Sequence, residues 1–528
     1  MVSATVLALV ALLIIYVANE TRTYLSLKAF NGPWSTGFSR LWLLRVTTSG
    51  RMNKFYTAVN DRYGSTARIA PRMLLTCDPD LVKRMNAVRS NFTRGDWYTA
   101  LRLHPTRDNI TSIKDEALHS DLRNHMAPGY SGKENMHMEQ DIDGKLLQMF
   151  DLIREKYIST ETEYNPLDLS KICSYFTLDV ISGVAFGKSF GFLDVDDDPL
   201  GYIKNLEQFL PAIMLFSVWP ELQRLMRLPL VRALAPSAKD AVGLGRAMCF
   251  AEERVRERFG KEKIVRRDML GAFINRGMSQ EQLESETLTQ ITAGSDSTAS
   301  SLRCTLLYIS TNPAILSNIL SEFHTAAFEG RITRPIIRDA EARQLPYLQA
   351  CIKEGLRMYP PVTGLLAKEV PKEGAEIDGK FVPGGTQIGW NSWGMQRNRD
   401  VFGGDVEVFR PERWLPVPGC DGVAEKGRLD RMNEVVGMVF GYGRFGCLGR
   451  GVATMELNKA FVEILSRFSL QPVSIAQPMT ERCFGFYLHS NMLFRVTERH
   501  EDSDGHLRGI NGALKGLEAQ ALPGAYEV

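Results

Sequence analysis

Amphipathic helical patterns account for most of the hydrophobic positions in this chain. Apolar residues recur at three- and four-residue spacing in seven long runs, 140–157, 165–186, 236–259, 280–311, 314–328, 344–358 and 450–468. Ser279 and Gln282 form a plausible capping box at the start of the fourth run. Strand-like runs are short: "ARIAPRMLLTC", "KFVPGGTQIGW" and "FYLHSNMLFRVT". This distribution predicts a mainly α-helical protein with small β-sheets at one side, and it does not fit alternating strand and helix units.

The N-terminal segment is apolar and uncharged over residues 2–18, which lies at the short end of the roughly 17 to 25 residues that span a bilayer. A cleaved signal peptide would need preceding positive charge, whereas the first cations, Arg22 and Lys28, follow the segment. Positive charge on this side leaves the rest of the chain cytosolic. We therefore expect a retained N-terminal transmembrane helix, with cleavage or simple burial as the alternatives.

The rest of the chain divides by composition. A stretch of Gly, Pro, Ser and aromatic residues without periodicity follows the apolar segment, and the last thirty residues are polar and Gly-rich. The expected segments are a membrane anchor over 1–19, a linker over 20–50 that folds back onto the body, a catalytic domain over 51–498 and a flexible tail over 499–528.

Charge and cysteine content exclude some classes of protein. The 528 residues include 63 Lys and Arg against 61 Asp and Glu, and these charges are interspersed. A nucleic-acid-binding protein would need basic residues massed on one face. The eight cysteines are scattered without a C-x-x-C pair, which indicates a reducing compartment rather than a disulfide framework.

The stretch "VFGYGRFGCLGRG" admits two interpretations. Gly441, Gly443 and Gly446 have the G-x-G-x-x-G spacing of a dinucleotide loop, and "NEVVGMVF" could be the preceding strand. The later "LQPVSIAQPM" offers no acidic residue for the ribose, however. Cys447 stands just before a helix whose N–H groups and dipole favour an iron-binding thiolate, and Gly443 and Gly449 would let the backbone approach a flat macrocycle. A buried, inert cysteine is the alternative.

The same stretch resembles the haem-binding signature of the cytochrome P450 monooxygenases, Phe-x-x-Gly-x-Arg-x-Cys-x-Gly. The matching residues are Phe440, Gly443, Cys447 and Gly449. Phe445 stands where the family usually has Arg or His, and Arg444 comes one place earlier. The resemblance implies the cytochrome P450 fold and haem b with Cys447 as the axial thiolate, and it makes Arg444 a candidate ligand of a haem propionate.

A second group of residues resembles the structural triad of that family. "KEGLRMYPP" supplies Glu354 and Arg357 on one helix face, and "VFRPERWL" supplies Arg413. In the family this triad holds the segment that presents the cysteine loop. An isolated Glu-x-x-Arg pair is otherwise common on solvated helices.

Further cations resemble the family's propionate ligands. In "HSDLRNHMAPGYS", His119 replaces the Trp of a Trp-x-x-x-Arg segment, and Arg123 matches its Arg. The two side chains share a helix face and can both donate to a carboxylate. Lys368 in "GLLAKEVP" is a third candidate by position.

The run "ITAGSDSTASS" resembles the family's central-helix motif, Ala-Gly-x-Asp/Glu-Thr-Thr. The resemblance implies that Asp296, Ser297 and Thr298 are catalytic: the Ser297 hydroxyl competes for the Ala293 carbonyl and opens a notch for oxygen, while Asp296 relays protons. Gly294 would weaken the helix there. The alternative is an ordinary buried helix whose small residues permit close packing.

The resemblance implies a haem-thiolate monooxygenase that inserts one oxygen atom from O2 into a small molecule by hydroxylation or epoxidation. The apolar segments "WYTALRLHP", "EQFLPAIMLFSVWP", "PPVTGLLA" and "RCFGFYL" suggest a hydrophobic substrate. The sequence is most similar in style to fungal enzymes of the pisatin-demethylase type, which implies secondary-metabolite biosynthesis. A haem-thiolate isomerase or dehydratase that needs no reductase, and a non-catalytic haem-binding protein, remain as alternatives.

Electrons must come from outside, since the sequence shows no flavin or nicotinamide motif. The resemblance implies NADPH-cytochrome P450 reductase, with cytochrome b5 as a further donor, and a single-pass location in the endoplasmic reticulum membrane. Arg444, Arg450 and Lys459 would form a basic docking face around the cysteine loop, or an ordinary solvated surface.

Overall fold

A computed structural model describes residues 4–104, 106–228, 237–240, 242–501 and 507–508. The α-helices of this part, α1 to α19 in chain order, are Ala4–Ser26, Leu41–Thr48, Met52–Tyr63, Pro79–Asn86, Glu116–Tyr130, Met138–Lys156, Leu169–Phe186, Phe192–Val195, Tyr202–Val218, Gly243–Arg256, Met269–Asn275, Gln280–Ser310, Pro313–Phe328, Asp339–Ala342, Pro346–Met358, Ser392–Met395, Arg399–Phe402, Gly422–Gly437 and Arg450–Arg467. The protein is mainly helical, as its hydrophobic pattern predicts.

The strands are short and form small sheets. In chain order, β1 to β14 are Thr66–Ala70, Met73–Thr76, Thr93–Arg94, Leu167–Asp168, Lys368–Glu369, Ala375–Ile377, Lys380–Val382, Gln387–Trp390, Phe468–Pro472, Thr480–Cys483, Tyr487–Ser490, Leu493–Glu498, His500–Glu501 and Leu507–Arg508. The largest sheet has the order β1-β2-β8-β5-β3, in which only β2 and β8 are parallel. A three-stranded sheet has the order β4-β12-β9.

The long helix α12 passes through the hydrophobic core and packs along α7. Ser279 and Gln282 form the predicted capping box at its start. Gly294 permits the close approach of the two helices, because a Cβ added there would lie 2.8 Å from Cγ1 of Ile181 on α7. Helix α7 is long and apolar enough to cross a membrane, but 89% of it is buried inside the protein, so it serves as a core helix here.

The glycine-rich stretch does not follow a strand. The dinucleotide interpretation would need "NEVVGMVF" to be a strand, but α18 occupies its first part and a 3-10 turn, Met438–Phe440, follows. Without that strand the dinucleotide interpretation of the three glycines loses its structural basis.

The N-terminal region is more ordered than a simple linker. Helix α1 continues to Ser26, beyond the expected end of the anchor at residue 19, and α2 lies within the expected linker. Arg68 of β1 donates to the carbonyls of Thr23, Tyr24, Gly37 and Pro71, and so fixes the end of α1 against the body. Most of the predicted tail lies outside the described residues.

Candidate active site

The cysteine loop is a tight turn between a 3-10 turn, Gly443–Phe445, and helix α19. The backbone N–H of Cys447 donates to the Phe440 carbonyl across 2.6 Å. Gly443 has φ of +59°, and a Cβ there would overlap the carbonyl oxygen of Asn86 at the end of α4. Only glycine fits this position, whereas Gly449 has φ of −79°, and a Cβ there would make only ordinary contacts, the shortest 3.9 Å from Sγ of Cys447. The turn thus requires one of the two predicted glycines.

Backbone hydrogen-bond donors point at the sulfur of Cys447. The side chain is exposed, although protein atoms surround it closely enough that desolvation raises the pKa of the thiol. The N–H groups of Gly449 and Arg450 donate to the sulfur and lower its pKa, and the charge of Arg123 acts in the same direction. Amide donors at a helix start are the environment that stabilises and tunes a metal-binding thiolate.

Helix α5 carries His119 and Arg123, the two predicted residues of the "HSDLRNH" segment, and places them near the cysteine loop. Asp115 caps the helix by accepting from the N–H groups of Ala117 and Leu118. Arg123 donates through Nη1 to the carbonyl of Gly446 across 2.6 Å and therefore braces the cysteine loop directly. His119, one turn earlier, is buried.

Four basic side chains gather around the ring of Phe445, and we call Arg94, His119, Lys368 and Arg444 the cationic cluster. Nζ of Lys368 lies 3.0 Å from the ring centroid, and the guanidinium carbons of Arg94 and Arg444 each lie 5.0 Å from it. The His119 ring centroid lies 5.2 Å away. Phe445, which replaces the expected arginine, thus sits at the centre of the cluster.

Arg94 and Lys368 stand directly opposite each other in the antiparallel pairing of β3 with β5. Like charges in this arrangement are unfavourable unless an anion lies between them. Lys368 is fully buried, and its Nζ has no hydrogen-bond partner among the described residues. Burial lowers the pKa of Lys368 to about 6, with further lowering by Arg94 and Arg444 that Glu116 partly offsets.

The cluster also suppresses protonation of His119. Burial first, and then the charges of Arg94, Arg123 and other neighbours, lower the pKa of His119 to about 3. Arg94 Nη2 lies 3.1 Å from Nε2 of His119, which fixes that nitrogen as the acceptor. Glu116 is the carboxylate that faces the cluster, 3.5 Å from Nε of Arg444. Arg94 and Arg444 outnumber this one carboxylate, and the unpartnered amine of Lys368 would become charged beside an anion, which fits the two propionate groups of haem.

Arg94 was not among the residues predicted from the sequence. It is fixed by donating to the carbonyls of Ile110, Thr111 and Ile113. Only the pairing of Arg94 with Lys368 identifies Arg94 as a site residue. This pairing joins two strands that are far apart in the chain, so no local sequence motif indicates it. Arg444, in contrast, was predicted, and it points toward Glu116 and the carbonyl of Ser90.

The central-helix motif lies on an unbroken stretch of α12. The Ser297 hydroxyl donates to the Ala293 carbonyl across 2.8 Å, the contact that the sequence predicts. Ala293 is exposed, Thr298 is buried, and Asp296 is half-buried and ion-paired to Arg303 at 3.0 Å. Gly294 packs against α7, which supports the alternative that this glycine permits close packing.

The triad residues are brought together in the core. Arg357 forms a two-pronged pair with Glu354, with both distances 2.8 Å, and Arg413 donates to Glu354 across 2.9 Å. Trp414 also donates to this carboxylate through Nε1. All of these side chains are buried, and Arg357 also binds the carbonyls of Gln396 and Val406. The triad therefore ties α15 to the chain that leads into the cysteine loop.

The predicted basic docking face must be corrected. Lys459 is fully buried and forms ion pairs with Glu139 at 2.7 Å and Asp143 at 2.8 Å on α6, so it cannot meet a partner protein. Arg450 is exposed at the start of α19, and its guanidinium lies over the Phe440 ring.

The four apolar segments meet in one hydrophobic cluster. Trp97, Met214, Leu365 and Phe484 each come from a different segment and belong to this cluster. The cluster is dense, because a Cβ added to Gly364 would lie 2.6 Å from the Trp97 ring. The segments therefore form one continuous apolar wall.

Comparisons with known proteins agree with this geometry. A family model described as Cytochrome P450 matches residues 33–493. The chain is 41% identical over 484 residues to cytochrome P450 monooxygenase ABA1 of Pyricularia oryzae, an alignment that covers 90% of this chain and 93% of that protein. It is 38% identical over 464 residues to the monooxygenase aba1 of Botryotinia fuckeliana, with 87% and 90% covered, and 32% identical over 428 residues to abl1 of Leptosphaeria maculans, with 80% and 74% covered.

Proposed function

This chain belongs to the cytochrome P450 monooxygenases, and we propose that it hydroxylates or epoxidises a hydrophobic small molecule. The observation that carries the proposal is the exposed Cys447, whose sulfur accepts hydrogen bonds from two backbone amides, together with a cationic cluster that can bind anions. Haem, when bound, supplies the activation of dioxygen for insertion of one oxygen atom into a C–H or C=C bond.

Two groups of residues would hold the haem. Cys447 would provide the thiolate ligand of the iron, and Arg123 would keep the loop in place through the Gly446 carbonyl. Lys368 and Arg94, with His119 and Arg444 beside them, would bind the propionates, because charge-assisted hydrogen bonds satisfy their buried donors. Phe440, Gly443 and Gly449 shape the turn around the sulfur.

Asp296 and Ser297 would hold and move protons on the other side of the site. Asp296 is reachable from a polar cavity, and Ser297 binds a carbonyl within the same helix turn. Side chains on successive helix residues point in different directions, so the carboxylate and the hydroxyl would exchange protons through water, as general acid–base catalysis allows. Thr298 would support this pair by its packing, since its side chain is buried.

The apolar wall and the exposed Ala293 support a hydrophobic substrate. The similar monooxygenases come from fungi. We therefore assign the enzyme to fungal secondary-metabolite biosynthesis, where such substrates are oxidised stepwise.

Electron supply and location complete the proposal. NADPH-cytochrome P450 reductase, with cytochrome b5 as a further donor, would dock near the exposed Arg450. Helix α1 has 23 residues, or about 34 Å at 1.5 Å per residue, which suffices for a bilayer core of about 30 Å. Leu7, Ile14 and Ile15 are exposed on it, which favours a single-pass anchor in the endoplasmic reticulum membrane with a cytosolic catalytic domain.

The test is turnover of the full-length enzyme in vesicles with 18O2 and a panel of fungal terpenoid, polyketide and alkaloid metabolites. We expect a product that gains one 18O atom only when NADPH and reductase are both present. Full turnover without reductase would instead identify a haem-thiolate isomerase or dehydratase. A Cys447→Ser variant serves as the control for haem-dependent chemistry.

A further inference from the structure

A polar cavity of about 510 Å³ opens beside the central helix, between α7, α9, α12 and strand β11. Asp296, Glu207 and Arg303 line it together with His489 and Tyr202. Such a polar, roomy space can hold several water molecules. The cavity therefore offers Asp296 a source of protons.

Arg303 lies two helical turns after Asp296 on α12 and holds its carboxylate. Nη2 of Arg303 is 3.0 Å from Oδ1 of Asp296. Nη1 donates to the Ser170 carbonyl at 3.2 Å and to Oγ of Ser174 at 3.0 Å on α7. The side chain is 2% exposed, so the guanidinium is a fixed, desolvated charge.

His489 on β11 completes the set of partners. Nε of Arg303 donates to Nδ1 of His489 across 3.0 Å, which requires the neutral ring with its proton on Nε2. Nε2 faces Oε2 of Glu481 at 3.8 Å. Burial first, and also the charge of Arg303, lower the pKa of His489, while Glu481 opposes this effect.

We propose that Arg303 and His489 are positioning residues that keep the Asp296 carboxylate at the wall of the polar cavity, ready to take protons from water. Neutral His489 and the two α7 acceptors orient the guanidinium, and the guanidinium orients the carboxylate. This inference rests on the proposed proton relay through Asp296. Glu207 and Tyr202 of α9 also lie close enough to feel the charge of this carboxylate.

The contacts of Arg303 predict different effects for different substitutions at this position. A neutral donor in place of Arg303 leaves Asp296 without its counter-ion, whereas lysine keeps the charge but cannot reach His489, Ser174 and Asp296 together. Because Arg303 would act only through Asp296, its loss should add nothing once Asp296 has been replaced.

The test compares Arg303→Gln, Arg303→Lys, Asp296→Asn and the Arg303→Gln/Asp296→Asn double variant in the reconstituted holoenzyme. The readouts are product formed per NADPH consumed, hydrogen peroxide released and the solvent deuterium isotope effect. We expect the coupling of NADPH to product to fall about tenfold in Arg303→Gln and by less in Arg303→Lys. The double variant should match Asp296→Asn alone. Arg431→Gln, which removes a surface partner of Asp80, is the control and should match the wild type.

A second readout follows His489 without turnover. The eight histidines are labelled with carbon-13, and NMR spectra are recorded on the diamagnetic, reduced carbon monoxide complex. The chemical shifts report the charge of each histidine ring. The signal that disappears in His489→Gln belongs to His489. We expect the pKa of His489 to rise in Arg303→Gln, since a neighbouring charge and the bond to Nδ1 are both lost.

The outcomes separate the two proposals. Normal coupling in Asp296→Asn would overturn the proton relay itself. Impaired coupling in Asp296→Asn with normal coupling in correctly ligated Arg303→Gln would overturn only the positioning role. Additive losses in the double variant would also overturn it, because Arg303 would then act independently of Asp296.

Discussion

Nζ of Lys368 lies 3.0 Å above the centroid of the Phe445 ring. The family signature usually has arginine or histidine where this chain has Phe445, and here the missing positive charge is supplied from β5 instead. The aromatic face attracts the ammonium group but satisfies none of its N–H donors. The contact therefore leaves the N–H donors of Lys368 available for an anion such as a haem propionate.

Replacing Lys368 with methionine should separate stability from haem binding. The variant removes a buried amine that has no hydrogen-bond partner among the described residues, so the haem-free protein should unfold at the same or a higher temperature. Haem should leave it at least about tenfold faster, since a charge-assisted contact to a propionate is lost. Thermal unfolding and haem transfer to a scavenger protein measure the two effects. A Lys353→Met variant is a control outside the cluster; equal haem loss in both variants would contradict the role of Lys368.

Haem binding should take up a proton at slightly alkaline pH. The pKa of Lys368 is about 6 in the haem-free protein, so the amine is mostly neutral at pH 8, and a propionate beside it would favour the charged form. Calorimetry in two buffers with different ionisation enthalpies measures this uptake. We expect close to one proton near pH 8, less uptake toward pH 6, and none in Lys368→Met. Uptake that is unchanged in this variant would assign the proton elsewhere.

The haem-free protein should lose stability as pH falls through two windows. For both Lys368 and His119 the folded-state pKa is below that of the unfolded chain, so the unfolded state binds more protons. The lysine effect spans about pH 10.5 down to 6, and the histidine effect about pH 6.5 down to 3. Urea unfolding at several pH values should show a smaller slope of unfolding free energy against pH in His119→Gln between pH 6.5 and 4. An unchanged slope would contradict the buried, neutral state of His119.

Glu354→Gln should destabilise the protein strongly. The carboxylate accepts from Arg357, Arg413 and Trp414 in the core. Its loss leaves the buried Arg357 without a carboxylate partner and leaves Arg413 with Asp405 alone. The expected cost is about 3 to 5 kcal/mol of unfolding free energy, with a matching loss of correctly ligated haem protein. The control, Glu425→Gln, breaks a more exposed pair with Arg428 and should cost much less unfolding free energy than the change at Glu354. Similar costs for the two variants would contradict the structural role of the triad.

The sequence predicts those elements and site residues whose structure is determined by neighbouring residues in the chain. The central helix was predicted over 280–311 and is observed as Gln280–Ser310, because its capping box and the Asn312–Pro313 pair that follows are encoded within a few residues. The cysteine loop and the triad were identified from short motifs for the same reason.

Residues defined by long-range packing could not be predicted in this way. Arg94 becomes part of the site only when β3 pairs with β5. Lys459 resembled a surface cation next to Arg450, but the helix turns it toward Glu139 and Asp143 of α6. The partner of Asp296, Arg303, was also not predicted, although both lie on one helix, because the pattern alone does not show which polar residues are buried.

The carbon monoxide difference spectrum tests the thiolate assignment most directly. The reduced wild-type protein should show the strongly red-shifted Soret band that thiolate ligation of haem produces, and Cys447→His should retain haem through the cationic cluster but lose that band. If folded, haem-loaded wild-type protein lacks the red-shifted band, or if Cys447→His keeps it, Cys447 is not the ligand and the monooxygenase assignment fails.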